Sequence, residues 1–461
     1  MSLSLSLYHR MPRSTRSIVA SARGYYLRWW RYDKQTERLV EEALERDYWT
    51  KTQWDDWRQE RLSYILHRAA TKVPYYREMW SKRRQNGDRS SYEYLENWPI
   101  LEKQTLRERN WDFIADDRNP RFMFRDHTSG TTGTSLDIWL TRETVKYWYA
   151  LTEARWKRWY GVSRQDRWAI LGGQLVTPVS QREPPFWVWN SGLNQLYLSS
   201  YHLSSDAVRW YLDAISKYRV KYLLGYPSAI YTLALEAQRL DRKNFTLDVV
   251  IANAEPLYDH QRHAIARAFA CPVRETYGMA EVVAAAGECE EGSLHYWPEA
   301  GLIQTGTTAN DLNSDFICTG LINADMPLIR YRVGDSGSLR AVECSCGRHL
   351  PLIRNVEGRS DDLLYTIEGR QIGRLDPVFK SKLPIAEAQI IQKSLTMVKV
   401  RYVPANDFSN DTLATLRRRI QERMGQVEVT FERVPAIPRT ARGKFRAVVS
   451  ELSAEDRARL I

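Results

Sequence analysis

From about Arg121 onward, short apolar runs alternate with amphipathic stretches, and this alternation restricts the possible folds more than any other feature of the chain. The runs end in Gly, Asn or Pro, and residues 205–218 and 258–270 have the apolar spacing of amphipathic helices. Helices that alternate with strands usually join parallel neighbours, because a parallel pair needs a long crossover connection. The sequence therefore predicts an α/β fold with parallel-rich sheets here.

Four of the apolar runs end in conspicuous small, aromatic or acidic residues. These ends are Gly-Gly at 172–173, Gly-Tyr-Pro at 225–227, Ala-Glu-Pro at 254–256 and Tyr-Gly at 277–278. Ligands of open α/β sheets bind beyond the carboxyl ends of the strands, so we expect the four ends to face one crevice. Four unrelated surface turns are the alternative interpretation.

The region before the α/β part, residues 1–120, is expected to be mainly helical. Residues 37–80 combine good helix formers and many charges with apolar residues at helical spacing, and Pro74 is the first helix breaker. We expect this region to be structural. It is predicted to belong to a large domain that spans residues 1–358.

A second change of character near Gly358 marks a predicted small domain over residues 359–461. Its predicted elements are a strand at 397–403, a helix from Asp411, a strand at 427–434 and a helix capped at Ser453. This unit is predicted to be a compact α+β domain with its own core.

The composition is that of an ordinary soluble protein. The 461 residues are 43% hydrophobic and 27% charged, and no apolar run approaches the roughly 20 residues that span a bilayer. The first residues lack the ordered regions of a secretory signal, so a cytoplasmic location is expected. The net charge is +11, but no nucleic-acid-binding motif accompanies it, so no nucleic-acid partner is expected.

Basic and aromatic residues are concentrated in the first 35 positions. They are Arg10, Arg13, Arg16, Arg23, Arg28, Arg31 and Lys34, with Tyr25, Tyr26, Trp29 and Trp30. A helix packed on its own protein through the aromatic residues is the simpler interpretation. Peripheral contact with the headgroups of the inner membrane surface is the alternative.

The strongest local signal for chemistry is the sequence Thr-Ser-Gly-Thr-Thr-Gly-Thr at residues 128–134, between probable strands at 122–125 and 136–141. Small residues let backbone N–H groups approach an anion, and the hydroxyls add donors, so the loop suits a polyphosphate. The loop lacks the Lys of a Walker A motif and is not followed by a helix. Without further signals, a simple turn remains the commoner interpretation.

Further motifs follow this loop in a fixed order, and together they resemble the adenylate-forming superfamily of acyl-CoA synthetases, firefly luciferase and peptide-synthetase adenylation domains. These motifs are Ala254-Glu255-Pro256, Tyr277-Gly278-Met279-Ala280-Glu281, Tyr331-Arg332-Val333-Gly334-Asp335, Gly358-Arg359-Ser360-Asp361-Asp362 and Arg442-Gly443-Lys444-Phe445. Residues 73–76, 200–204 and 369–376 resemble most closely the phenylacetate-CoA ligase group and its CapK-like branch, which is associated with surface polysaccharides.

The resemblance implies an enzyme that activates a carboxylic acid with ATP and Mg²⁺ to an acyl-adenylate and then transfers the acyl group, with coenzyme A as the first expectation. The residues expected to hold the phosphates are Ser129, Gly130, Thr131, Thr132, Gly133 and Thr134. Glu281 would hold Mg²⁺. The residues expected around the base and ribose are Ala254, Glu255, Pro256, Tyr277, Gly278, Met279, Asp335 and Arg359.

Three residues are assigned to catalysis by the resemblance: Lys444, Glu281 and Thr132. The Lys444 ammonium would bind the attacking carboxylate and the α-phosphate as negative charge develops. The small domain would rotate between the two half-reactions about a pivot near residues 361–362. The acyl pocket is expected near Tyr147, Gly225, Tyr226 and Ala254.

A cluster of possible zinc ligands is a separate feature. Cys289, His295, Cys344 and Cys346 supply three thiolates and one imidazole, a set that suits tetrahedral Zn²⁺. Disulfides are disfavoured in a cytoplasmic chain, and four protein ligands would leave no open position, so a structural zinc is expected. Reduced thiols beside a surface histidine are the alternative.

The acceptor and the assembly state remain open at this level. Residues 367–373, Ile-Glu-Gly-Arg-Gln-Ile-Gly, replace a Gly-Val-Asn-Val-Phe-Pro loop of phenylacetate-CoA ligases, close to the second half-reaction. An amine, a hydroxyl or a carrier-protein arm could therefore replace coenzyme A. A catalytically lapsed assembly partner of a polysaccharide-synthesis complex is the non-enzymatic alternative. The oligomeric state is not predicted.

Overall fold

The computed structural model describes residues 3–127, 136–178, 180–203, 205–241, 246–305, 314–340, 342–357, 364–369, 371–372, 378, 383–405, 408–438, 448–453 and 455–456. The helices are α1 Leu3–Arg10, α2 Arg13–Arg31, α3 Lys34–Arg46, α4 Lys51–Lys72, α5 Pro74–Gln85, α6 Lys103–Glu108, α7 Arg142–Trp156, α8 Ser205–Lys217, α9 Pro227–Arg239, α10 Asp259–Phe269 and α11 Asn410–Met424. Short 3₁₀ helices span Leu95–Asn97, Asn110–Phe113, Pro120–Phe122, Arg158–Tyr160 and Ser200–His202.

The strands are β1 Phe124–His127, β2 Asp137–Leu140, β3 Trp168–Gly172, β4 Trp187–Asn190, β5 Gln195–Ser199, β6 Tyr222–Gly225, β7 Val249–Ala252, β8 Val273–Gly278, β9 Ala285–Glu288, β10 Leu294–Tyr296, β11 Gly301–Gln304, β12 Ser314–Gly320, β13 Tyr331–Arg340, β14 Leu352–Glu357, β15 Leu364–Tyr365, β16 Gln371–Ile372, β17 Ile385–Ser394, β18 Met397–Pro404, β19 Glu428–Arg433 and β20 Val448–Ser450.

Helices α3 and α4 begin at N-cap residues whose side chains accept hydrogen bonds from the first turn. The Asp33 carboxylate accepts a hydrogen bond from the Thr36 N–H at 3.0 Å, at the start of α3. Thr50 and Gln53 form a reciprocal capping box at the start of α4. Pro74 occupies the first turn of α5, where a missing N–H costs nothing, so it begins a helix there.

A twelve-stranded sheet forms the centre of the molecule, in the order β11-β12-β13-β14-β10-β9-β8-β7-β6-β3-β5-β4. Strands β5, β3, β6, β7 and β8 are parallel neighbours. In the other part of the sheet, which runs from β8 through β9, β10, β14, β13 and β12 to β11, neighbouring strands are antiparallel, and so is the β5–β4 pair. Helices α8, α9 and α10 connect the parallel strands and pack with them in one hydrophobic core. The predicted α/β class is confirmed.

The four strand ends singled out in the sequence lie side by side. Strands β3, β6, β7 and β8 are consecutive in the sheet and parallel, so their carboxyl ends share one edge. Backbone hydrogen bonds tie these ends together, from Tyr226 N to Leu171 O at 3.0 Å and from Asn253 N to Gly225 O at 2.9 Å. The interpretation as four unrelated turns was wrong.

Strands β1 and β2 pair antiparallel on either side of residues 128–135, with Phe124 opposite Leu140 and His127 opposite Asp137. A strand therefore follows this loop, as the sequence indicated. The loop itself lies outside the described residues.

The C-terminal part forms a separate four-stranded sheet in the order β19-β18-β17-β20, covered by α11. Its core contains Ile390, Val400, Leu416 and Ile420, all fully buried. The Ser453 hydroxyl accepts a hydrogen bond from Asp456 N at 3.0 Å, which is the predicted cap. The predicted boundary at residue 358 falls outside the described residues and stays a prediction.

The basic N-terminal segment forms α1 and α2. Trp30 is buried and stacks on Phe124 with ring centroids 4.8 Å apart, whereas Tyr25, Tyr26 and Trp29 are exposed. Among the described residues, every helix is too short or too polar to cross a membrane.

Candidate active site

The segment after β7 holds a strained turn and a buried carboxylate. Ala254 has φ +70°, a left-handed conformation that favours glycine. The Glu255 side chain is buried, and its Oε2 accepts a hydrogen bond from Ser228 N at 3.1 Å in the first turn of α9. A carboxylate is favourable beside the positive end of a helix dipole. Glu255 therefore fixes the end of β7 against the helix that follows β6.

Two predicted nucleotide-binding residues meet at the end of β8. The Tyr277 hydroxyl donates a hydrogen bond to Asp335 Oδ2 at 2.9 Å, across 58 positions of sequence. Burial and the adjacent Asp335 carboxylate raise the Tyr277 pKa well above its usual value, so the phenol stays protonated and can act as the donor. Motif segments from β8 and β13 thus form one surface.

Gly278 makes room for the packing beneath Tyr277. A Cβ at this position would lie 3.1 Å from the Trp156 ring and 3.6 Å from the Trp148 ring. Trp156 is held in turn, because its indole N–H donates to Ala286 O at 2.8 Å. The backbone next to Tyr277 therefore packs closely against Trp156.

Glu281 is buried, with 6% of its side chain exposed, in contact with two donors. Lys103 Nζ lies 3.0 Å from Glu281 Oε1, and the Tyr331 hydroxyl donates to the same oxygen at 3.2 Å. The sequence analysis missed Lys103, which begins α6 in a stretch without a motif. Only the fold brings it to Glu281, because Leu101 pairs with β13 through Leu101 N to Arg330 O and Arg332 N to Leu101 O, both at 3.0 Å.

The residues predicted for the acyl pocket fall into two places. Gly225, Tyr226 and Ala254 lie at the shared edge of the parallel strands, and a Cβ on Gly225 would lie 2.1 Å from Leu171 O. Tyr147 lies in a different core, where Arg46 Nη1 donates to its hydroxyl at 3.5 Å. Burial, with Glu299 nearby, raises the Tyr147 pKa well above its usual range.

Several predicted site residues lie outside the described residues. They are Ser129, Gly130, Thr131, Thr132, Gly133, Thr134, Arg359 and Lys444. Their roles stay predictions. Pro256 and Met279 lie in the described segments beside Glu255 and Tyr277.

The four predicted zinc ligands converge. The ligand atoms of Cys289, His295, Cys344 and Cys346 all lie within 4.8 Å of one another. Cys289 Sγ is 3.7 Å from Cys344 Sγ, and Cys346 Sγ is 3.4 Å from His295 Nε2. Zn–S bonds of about 2.3 Å and Zn–N bonds of about 2.0 Å in a tetrahedron require separations of this size. The described side chains therefore fit a tetrahedral metal ion.

The histidine of this cluster is prepared to bind through Nε2. Its Nδ1 lies 3.0 Å from Leu350 O, so Nδ1 carries the proton and Nε2 is left as the acceptor. Burial lowers the His295 pKa, which favours the neutral ring that a metal requires. Gly347, with φ +77°, supplies the turn after Cys346.

Comparison with known families matches two parts of the chain. A model of the AMP-binding enzyme family matches residues 54–310, and a model of the CapK C-terminal domain matches residues 364–451. The first match covers more than half of the chain.

Individual relatives match over longer spans. Protein CapK of Staphylococcus aureus is 25% identical over 97% of this chain and 99% of its own length. The phenylacetate-coenzyme A ligase of Thermus thermophilus is 22% identical over 85% of this chain and 95% of its own length, and that of Escherichia coli is 25% identical over 66% and 71%.

Solved structures show the same fold. The structure of 2-hydroxyisobutyryl-CoA ligase in the postadenylation state matches with TM-score 0.52 and 19% identity, over 90% of this chain and 92% of that one. Its thioesterification state with coenzyme A matches with TM-score 0.53 over 88% of this chain and 92% of that one.

Proposed function

Since the chain belongs to the AMP-binding enzyme family and is an AMP-forming acid ligase, we propose that it transfers its activated acyl group to coenzyme A. Two relatives whose names describe coenzyme A ligases support this acceptor. For the nucleotide site, the observation that carries the proposal is the contact between two distant motifs, in which Tyr277 donates to Asp335 at 2.9 Å.

The nucleotide is proposed to bind along the carboxyl ends of β7 and β8. The Tyr277 ring offers a flat surface for adenine, and Asp335 can accept hydrogen bonds from the ribose hydroxyls, because a carboxylate accepts through several lone pairs. Ala254, Glu255 and Pro256 would border the base, since Glu255 holds this turn against α9. The loop at 129–134 and Arg359 are proposed to complete the site.

Glu281 is proposed to hold Mg²⁺, which would offset the charge of the phosphates when bound. The Lys103 ammonium already lies 3.0 Å from this carboxylate. We propose that Lys103 balances the Glu281 charge before the nucleotide arrives and then contacts a phosphate oxygen. A residue in this role positions and neutralises charge without taking part in bond making.

The reaction is proposed to proceed in two displacements. The carboxylate of the acid attacks the α-phosphorus of ATP, and the P–O bond to pyrophosphate breaks. The thiolate of coenzyme A then attacks the acyl carbon, and AMP leaves with the electron pair of the acyl C–O bond. Lys444 is proposed to stabilise the first transition state, and the small domain is proposed to rotate before the second.

A screen of carboxylic acids by pyrophosphate exchange tests the first displacement. We expect acid-dependent exchange with at least one class of acid. Adding coenzyme A should then give a thioester, detected by mass spectrometry. Exchange without thioester formation would exclude coenzyme A as the acceptor, and no exchange with any acid would favour a lapsed assembly partner.

An amide or ester synthetase that needs no coenzyme A is a second candidate. It is favoured by residues 364–372, where the β15–β16 hairpin with Gly369 at φ +80° carries the departure from the phenylacetate-CoA ligase loop. Replacing coenzyme A by amines and alcohols in the same assay distinguishes the two acceptors.

A role in surface-polysaccharide biosynthesis is proposed from the match to Protein CapK along nearly the whole chain. The acyl-coenzyme A product would then supply an acyl substituent of the polysaccharide. Comparing the acyl content of surface polysaccharide from a producing strain and a deletion strain tests this role.

We also propose that the Cys289 cluster holds a structural zinc. Burial raises the pKa of the Cys289 thiol to about 12, so a cation is needed to keep this sulfur as a thiolate. Metal analysis should give about one zinc per chain. Cys346→Ser should lose the zinc and lower the unfolding temperature by several degrees. The control Cys271→Ala changes a buried cysteine outside the cluster and should keep the metal.

A further inference from the structure

Helix α2 turns an apolar stripe away from the protein. Ile18, Ala22, Tyr25 and Trp29 follow the spacing that places side chains on one face of a helix. All four are exposed, and Trp29 is exposed to 73%. In a helix that packs only on its own domain, the apolar stripe faces the core. Helix α2 buries Trp30 against the protein and leaves this second apolar stripe facing outward.

A different side of α2, formed by small residues, lies against the edge strand β4. The Ser17 hydroxyl accepts from Trp189 N at 3.3 Å, and the Ser21 hydroxyl accepts from Ser191 N at 3.0 Å. A Cβ on Gly24 would lie 1.9 Å from Asn190 Oδ1, so only glycine permits this approach. The contacts on the inner face therefore fix the outward direction of the stripe.

The surroundings of the stripe are basic. Residues 1–32 contain six arginines and neither Asp nor Glu. Arg23 and Arg28 are exposed and flank the stripe on its two sides, as 3.6 residues per turn requires. Arg142 of α7 donates to the Tyr26 hydroxyl at 3.4 Å and adds a cation at the same face. Glu183, an acid close to α2, is paired with Arg13 at 3.2 Å.

We propose that this face of α2, defined as Ile18, Ala22, Tyr25 and Trp29 with Arg23 and Arg28, docks the protein onto a membrane that carries anionic lipid. Tyr and Trp rings suit the boundary between headgroups and acyl chains, because one end of each ring is apolar and the other binds water. Arginine side chains reach the phosphates. A stripe of about 16 Å lying in the plane of the interface matches an amphipathic surface helix.

Charge favours a lipid surface over a second copy of this chain. A second copy would bring the same arginines against one another, since a two-fold contact is self-complementary. An anionic membrane instead attracts every exposed arginine on this face, and the attraction weakens with salt. The occupant proposed here is therefore the lipid surface.

Co-sedimentation of the full chain with vesicles tests the proposal. One vesicle is phosphatidylcholine alone, and the other contains about a third phosphatidylglycerol. We expect binding to the anionic vesicle at low salt, at least about tenfold weaker binding to the neutral vesicle, and loss of binding at about 1 M salt. Equal binding to both vesicles, or no binding to either, overturns the proposal.

Variants separate the two contributions. Trp29→Ser should weaken binding about tenfold, because it removes one buried aromatic ring. Each of Arg23→Gln and Arg28→Gln should weaken binding to the anionic vesicle about fivefold and leave binding to the neutral vesicle unchanged. The matched control is Trp111→Ser, since Trp111 is similarly exposed, at 63%, but lies outside α2. An equal loss in the control overturns the proposal.

Two further measurements distinguish lipid docking from misfolding of the variant and from dimerisation through the stripe. The unfolding temperature and pyrophosphate exchange of Trp29→Ser should match those of the wild-type chain, because the side chain is outside the core and the candidate site. Light scattering after gel filtration reports the oligomeric state. A dimer that Trp29→Ser dissociates, together with no vesicle binding, would show that a second copy covers the stripe and would overturn the proposal.

Discussion

Two residues of the candidate site, Glu281 and Ala254, are held in place by the surrounding fold. Glu281 is buried, and Lys103 and Tyr331 both bind its Oε1. Burying a carboxylate beside an ammonium is tolerated because each charge compensates the other, and removing one partner is then more costly than at the surface. Ala254 is constrained by its backbone conformation, because a residue with a Cβ is held at φ +70° there.

Substitution of Lys103 tests the charge pair. Lys103→Met should lower kcat/KM for ATP at least about tenfold, because a cation beside the proposed metal ligand is lost. It should also destabilise the fold by about 2 kcal/mol, because the buried Glu281 loses its ammonium. Steady-state pyrophosphate exchange and chemical unfolding measure the two effects.

The matched control for Lys103 is Lys221→Met. Lys221 Nζ pairs with Asp166 at 2.8 Å, but its side chain is exposed. Such exposed pairs contribute little to stability, so stability and ATP kinetics should hardly change. Equal effects of the two substitutions would contradict the role assigned to Lys103.

Substitution of Ala254 tests the strained turn. Ala254→Gly should stabilise the protein by about 1 kcal/mol, because glycine adopts φ +70° without the Cβ clash. The control Ala264→Gly, in the middle of α10, should instead destabilise by about 1 kcal/mol. Thermal unfolding reports both. A destabilising Ala254→Gly would mean that the greater conformational entropy that glycine gives the unfolded chain outweighs the relief of strain.

At the scale of elements, β8 joins the parallel and antiparallel halves of the sheet and carries an unusual acid. The Glu275 backbone N–H donates to Glu288 Oε2 at 2.6 Å. Both carboxyl groups also lie near the Arg262 guanidinium, at 3.9 Å for Glu275 and 3.0 Å for Glu288. Burial, followed by the Glu288 charge, raises the Glu275 pKa from 4.5 to about 7, although Arg262 at 3.9 Å partly opposes this. Glu275 therefore binds a proton in the folded state at a pH where the unfolded chain has released it.

This difference predicts a pH-dependent stability. Between pH 4.5 and about 7, the folded chain holds the Glu275 proton more tightly than the unfolded chain, so the free energy of unfolding should fall as pH rises across this range. Glu275→Gln should remove this contribution. Urea unfolding of both proteins at several pH values measures the difference, which should grow with pH and level off above about 7. A constant difference would contradict the raised pKa.

At the scale of the whole molecule, the two parts of the chain have separate cores. The core of the C-terminal part contains Leu364 and residues from β17 to β20, whereas the large sheet has its own clusters. This organisation is compatible with the proposed rotation of a small domain that brings Lys444 to the nucleotide. A lysine that acts in only one arrangement should contribute to one half-reaction.

Substitution of Lys444 tests whether this lysine contributes to only one half-reaction. Lys444→Ala should reduce adenylation at least about 100-fold while ATP binding survives, because the ammonium is proposed to act on charge that develops in the transition state. Transfer from a supplied acyl-adenylate to coenzyme A should be much less affected. Equal losses in both half-reactions, measured in single turnovers, would contradict the assignment.

The sequence predicted those parts of the fold and site that depend on local signals. The ends of β6 and β7, which the sequence marked by residues 225–227 and 254–256, and the cap at Ser453 follow from short-range chemistry. Lys103 could not be predicted, because its contact with Glu281 spans 178 positions and depends on the pairing of Leu101 with β13. The outward orientation of the apolar stripe of α2 could not be predicted either, because helical periodicity identifies an apolar face but not what that face contacts.

The packing of α2 against β4 has a consequence for the nascent chain. The helix leaves the ribosome early, but the strand that receives it is formed by residues Trp187–Asn190. At 5–20 residues per second, about 8–30 s separate the two events. During this interval both faces of the helix are accessible, so the proposed lipid contact would be open to α2 before the rest of the enzyme has folded.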